Sequence, residues 1–112
     1  MTKYYEPVKS IGQQIIETCC EVLGCTEEDI IGLSRREPYV NHRKIIAVEL
    51  RSAGFSLNQI GRLLGRHYST VIWSTQKYHD YYQVWPEFRV KADACAAAVA
   101  TLTQPEKIYL TI

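Results

Sequence analysis

The chain has 112 residues, 46% of them hydrophobic and 22% charged, with a formal net charge of +1; that length can bury one core without disulfide or metal staples. Its longest apolar run, residues 94–100, is far too short to cross a bilayer, and the polar N-terminus lacks the apolar stretch of a signal peptide, so a soluble cytoplasmic protein is expected. Near-neutrality hides an uneven distribution: residues 1–33 carry a net −4, residues 34–67 a net +5, and the remainder balances. A basic middle of this kind is the footprint a phosphate-binding surface needs.

In chain order the spacing predicts helices almost throughout. Val8, Ile11, Ile15, Cys19 and Val22 recur at helical intervals, and Gly24 ends that first helix. Thr26 followed by Glu27, Glu28 and Asp29 puts a cap and three acids at the positive end of a short second helix, running to about Leu33. Residues 34–40, with Arg35, Arg36 and Pro38, read as an irregular loop. Asn41 is expected to cap a third helix to about Ser52, burying Ile45, Val48 and Ala47 before Ala53 and Gly54 break it.

Ser-Leu-Asn-Gln-Ile-Gly-Arg-Leu-Leu-Gly at residues 56–65 keeps Leu57, Ile60 and Leu64 on one face, with Ser56 where an N-cap belongs and Gly65 where a left-handed stop belongs. After Gly65, Arg66 and His67, a fifth helix keeps Val71, Thr75, Tyr78 and Tyr82 on one side. Pro86 suits the first turn of a sixth, whose Phe88, Ala92, Cys95, Val99 and Leu102 form a seam. That seam either folds back onto its own domain, the commoner outcome, or supplies a homodimer interface. The reading is an all-α fold: one compact helical domain over residues 1–103 and a tail at 104–112, where Ile108, Leu110 and Ile112 alternate. Cys19, Cys20, Cys25 and Cys95 lack metal-ligand spacing and are expected to be small buried hydrophobes; no metal or other cofactor is expected.

Two short helices joined by a glycine turn, over about residues 56–82, are a common way of placing a helix in the DNA major groove. Arg66, His67, Tyr68, Ser69 and Thr70 would then meet the groove, with hydroxyls open to either base type and the Thr70 methyl suited to thymine. Ser69 and Thr70 also suit plain helix capping. Ile72 and Trp73 lie one turn further, where Trp73 reads equally as core and is not counted among the contacts, and Gln76 would reach adenine edges only if the helix lies deep. Arg35 and Arg36 sit on a loop able to enter a minor groove, and Arg43 and Lys44 open the third helix where they would hold phosphates.

These stretches resemble a known module. Asp29-Ile-Ile-Gly-Leu-Ser-Arg-Arg, then Val40-Asn-His-Arg-Lys-Ile-Ile-Ala, then residues 56–71 are similar to the C-terminal DNA-binding domain of the bacterial replication initiator DnaA, over roughly residues 8–101. The resemblance implies an all-helical, Trp-repressor-like domain that reads a short duplex DNA site, with a basic loop in the adjacent minor groove. It assigns Arg35 to the minor groove and Arg43 and Lys44 to the backbone. It gives Leu57 and Asn58 a phosphate held by helix-start amides, and Ser69 and Thr70 both bases and backbone. Three departures stand out: a single Gly65 replaces the family's glycine pair, His67-Tyr68 replaces Asp-His, and Asn41-His42-Arg43 replaces Arg-Pro-Arg. No Gly-x-x-x-x-Gly-Lys-Ser/Thr phosphate loop is present, so neither nucleotide binding nor ATPase activity is expected. By analogy, a free-standing domain of this kind suggests a bacterial or phage protein of replication initiation or its regulation.

Two other readings compete. A protein-interaction module on the same scaffold would use Tyr68, Trp73, Tyr81, Tyr82 and Trp85 as an aromatic contact surface. An enzyme would need Cys19, Cys20 or Cys25 activated by His42 or His79, and no spacing orients such a base.

Overall fold

Helix boundaries in this chain follow local capping chemistry. The computed structural model describes residues 10–32 and 36–102. Over them run α1 (Ile11–Leu23), α2 (Glu27–Ile31), α3 (Tyr39–Ser52), α4 (Leu57–Leu64), α5 (Tyr68–Val84) and α6 (Pro86–Leu102), with no strand among the described residues. Ser10 caps α1 by accepting the Gln13 N–H at 3.2 Å, and Gly24 ends it in the left-handed region. Reciprocal capping boxes start α2, from Thr26 and Asp29, and α4, from Ser56 and Gln59. Gly65, at φ 67°, stops α4, and the Arg66 N–H closes the turn on the Gly61 carbonyl at 2.8 Å. Pro86 opens α6 as expected, because a missing N–H costs nothing in a first turn.

One boundary differs. The third helix starts at Tyr39 with Pro38 in the cap position, so Asn41 lies inside its first turn. The Pro38 carbonyl accepts the His42 N–H at 2.9 Å, and Asn41 is left to approach Glu37. Val8, Leu33 and the tail at 104–112 fall outside the described residues.

α3 is the central helix, packed against each of the other five. It is therefore buried nearly all round: Ile45, Ile46, Ala47 and Leu50 are sealed, and so are His42, Arg43, Lys44 and Glu49, while the expected core residue Val48 is only half-buried. α1 lies between α3 and α6 and turns a broader face inward than its seam predicts: Gly12, Ile15, Ile16, Cys19 and Cys20 are buried, whereas Ile11 and Val22 are exposed.

The α6 seam of Phe88, Ala92, Cys95 and Val99 is spent on this core, chiefly against α1, and is not left for a second copy. Cys19 meets Cys95 there, and that contact together with burial pushes the Cys19 thiol pKa up. All four cysteines are free, three of them buried, as packing residues would be. No helix among the described residues is long and apolar enough to cross a membrane.

Candidate nucleic-acid interface

α4 and α5 pack together across the three-residue connection Gly65-Arg66-His67. The crossing is tight because Gly61 has no side chain: a Cβ there would stand 2.5 Å from the Arg66 carbonyl oxygen. His67 caps α5, its Nδ1 accepting the Ser69 N–H at 3.1 Å and lying 2.8 Å from Ser69 Oγ. Its ring also meets Tyr68 edge-on at 4.7 Å between centroids. The helix start thus presents His67, Tyr68, Ser69 and Thr70 together, all exposed, while Val71 and Ser74 turn into the core. At the start of α4, Asn58 is exposed and Leu57 half-buried. These six residues stand at the starts of α4 and α5.

The basic residues divide differently. Arg43 is buried, its Nε donating to the Ile30 carbonyl at 2.6 Å and a terminal nitrogen to the Asp29 carbonyl at 3.0 Å. Arg66 converges on the same place, donating to the Ile31 carbonyl at 3.1 Å and the Gly32 carbonyl at 2.6 Å. Burial, and then the neighbouring Arg66, lower the Arg43 pKa from its ordinary value. The two guanidiniums clamp the C-terminal carbonyls of α2, the negative end of a helix with no basic residue in its own last turn. The expectation that Arg43 holds phosphate is therefore corrected, and Arg66 is turned to α2 as well as to the turn it belongs to.

Lys44 is corrected in the same sense. It is 1% exposed, with Nζ 3.5 Å from both the Val40 carbonyl and Asn41 Oδ1. The ammonium lies 4.9 Å from the Trp73 ring centroid and 5.4 Å from that of Tyr81. Burial draws its pKa down, opposed by Glu37 and reinforced by Arg43 and Lys77. Arg36 is exposed, whereas Arg35 lies outside the described residues. Two cations of the basic middle, Arg43 and Lys44, thus serve the interior and Arg66 is half-buried, whereas Arg36, Arg51 and Arg62 are exposed.

Sequence reasoning did not count Trp73 among the contacts and missed the carbonyl clamp. Trp73 is 47% exposed on the outward side of α5. For the clamp a signal existed: an acidic five-residue helix with no cation near its end needs donors from elsewhere. Of the aromatic surface of the competing reading, Tyr68, Trp73 and Trp85 are exposed, whereas Tyr81 and Tyr82 are half-buried. Tyr81 stacks on Trp85 at 4.2 Å and meets Phe88, and the Tyr82 hydroxyl donates to Asp93 at 2.7 Å, so these side chains build the α5–α6 corner.

The described helix-turn-helix coincides with a family model, that of the bacterial DnaA protein helix-turn-helix, which matches residues 12–77. The chain belongs to this family. It is a DnaA-like, DNA-binding helix-turn-helix domain. The match is shorter than the resemblance over residues 8–101: it opens in α1 and closes within α5, leaving α6 beyond it. No curated protein sequence matches the chain.

Proposed function

We propose that this DnaA-like domain reads a short site in duplex DNA by seating the start of α5 in the major groove. Arg35 and Arg36 lie along the adjacent minor groove or backbone, and the setting is replication initiation or its regulation, without nucleotide hydrolysis. The observation that carries the reading is the exposed first turn of α5, where His67, Tyr68, Ser69 and Thr70 stand together on a rigidly stopped helix-turn-helix. A recognition helix presents its N-terminal residues to base edges, and its first amides favour phosphate. The start of α4, at Leu57 and Asn58, offers a second set of such amides. With Arg43 and Lys44 buried, phosphate contact falls to Arg35, Arg36, the half-buried Arg66 and the helix starts.

Fluorescence anisotropy on two labelled duplexes, one carrying the initiator box and one scrambled, tests this across a salt series. Binding is expected to weaken as salt rises, with each contacting arginine adding about 0.9 to the logarithmic slope. Preference for the box would mean that the shortened turn still reads the family site. Absence of binding to either duplex at low salt would overturn the proposal and favour a protein-interaction module.

A further inference from the structure

We infer that Trp73 is a direct DNA contact, and that its indole senses the methyl group of a thymine one helical turn beyond Ser69 and Thr70. The inference rests on the duplex-reading proposal above. Ser69, Trp73 and Gln76 are four and three residues apart, so they share one stripe of α5, and all three are exposed. The inward side belongs to Val71 and Ser74, both buried. Any placement that brings Ser69 to base edges brings Trp73 to the same groove, about 6 Å further along the helix axis.

The indole is held rather than loose. Lys44 lies beneath it at 4.9 Å, and that ammonium is itself fixed by α3, at the Val40 carbonyl and Asn41 Oδ1. The ring also lines a cavity of about 70 Å³ with Thr70, Ser74, Arg66 and residues of α3. One part of the ring is thus anchored against the protein while about half of the residue stays open to solvent. A fixed, half-exposed aromatic loses little conformational entropy on contact, which is how aromatic anchors serve interfaces.

The chemistry selects the partner. Phosphates and base-edge donors or acceptors gain little from the flat of an indole. The thymine C5-methyl is the apolar feature that a major groove displays, so it is the group an indole would cover. Lys44, on this account, is a positioning residue for the reader and not a phosphate ligand.

The test uses the duplex recovered from a random pool by the full chain. Each thymine is replaced in turn by deoxyuridine, which removes only the methyl. One position should lose about fourfold in affinity, the worth of one buried methyl-sized group. That loss should vanish in Trp73→Ala but persist in Thr70→Ala, since Thr70 carries a methyl of its own. In a Trp85→Phe variant, where Trp73 is the one remaining tryptophan, bound duplex should shift the emission and shield it from iodide. This second measurement keeps the native indole, so it does not depend on how well Trp73→Ala folds.

If the chain binds duplex DNA in a salt-dependent way but no thymine is sensitive and Trp73 emission is unmoved, the inference fails and the duplex-reading proposal stands. If the chain binds no duplex at all, both fall.

Discussion

Lys44 and His42 show how little a residue's letter says about its work in a central helix. Lys44 is buried between two aromatic rings, so Lys44→Met should leave the salt slope of DNA binding unchanged. A lost phosphate contact would instead reduce that slope by about 0.9. Melting of Lys44→Met should occur at the same temperature or higher, because replacing a buried ion by an apolar side chain of similar size is often neutral or stabilising. His42 is 3% exposed, and its two ring nitrogens have no hydrogen-bond partner among the described residues. Burial first, then the Lys91 ammonium, hold its pKa below the ordinary 6.5, with Asp29 opposing. Below pH about 6.5 the unfolded chain therefore takes up a proton at His42 that the folded chain refuses, and stability falls with acid until the depressed folded pKa is passed. Above that window the group contributes no pH dependence. Denaturant titrations of wild type and His42→Phe should diverge in slope only on the acid side. Comparing the pair removes the opposite effect of Glu49, whose carboxyl pKa burial raises. Parallel curves would mean that His42 ionises freely in the folded chain.

At the scale of elements, the helix-turn-helix depends on one close approach. Glycine inside a helix is usually about 1 kcal/mol worse than alanine, so Gly→Ala on an open helix face stabilises. Gly61→Ala should do the reverse, since the added Cβ would meet the Arg66 carbonyl at 2.5 Å. That atom belongs to the turn backbone and cannot move without shifting the start of α5. A loss of about 1–3 kcal/mol is expected from such overpacking, measured by urea unfolding, together with weaker DNA binding. Unchanged stability would show that Gly61 does not approach the Arg66 carbonyl this closely. The clamp of Arg43 and Arg66 on α2 works at the same scale: it ties a five-residue helix, too short to persist alone, to α3 and to the turn.

At the scale of the molecule, α6 completes the core although it lies outside the family match. α6 packs over α1, with Cys95 against Cys19, where Ile15, Ile16 and Cys19 would otherwise face water, while its Phe88 packs on Tyr78 and Tyr81 of α5. Large apolar side chains such as Phe88 and Val99 contribute about 1.5–3 kcal/mol each when buried. A chain ended at residue 84 should therefore lose cooperative thermal unfolding by circular dichroism, despite keeping the whole matched region. Cooperative melting near the full-length temperature would show that α6 is an ornament. Because the α6 seam is already covered, any homodimer that sedimentation detects would have to use another face.

What the sequence determined by itself was local. Thr26 with Asp29, Ser56 with Gln59, Gly24, Gly65 and Pro86 act within three or four residues, so each boundary can be read where it stands. The exposed start of α5 was legible for the same reason, since a stop, a short turn and the hydroxyl residues Ser69 and Thr70 mark where the helix begins. The tertiary structure decided the destination of the charges and of the large aromatics. Arg43 reaches back thirteen residues to the Ile30 carbonyl, and Lys44 settles beneath a ring twenty-nine residues ahead. A guanidinium satisfied by buried carbonyls and one waiting for phosphate are spelled alike, as are a tryptophan in the core and one on the groove face. Only the arrangement of helices around α3 separates them, because burial is a property of what surrounds a residue and not of the residue itself.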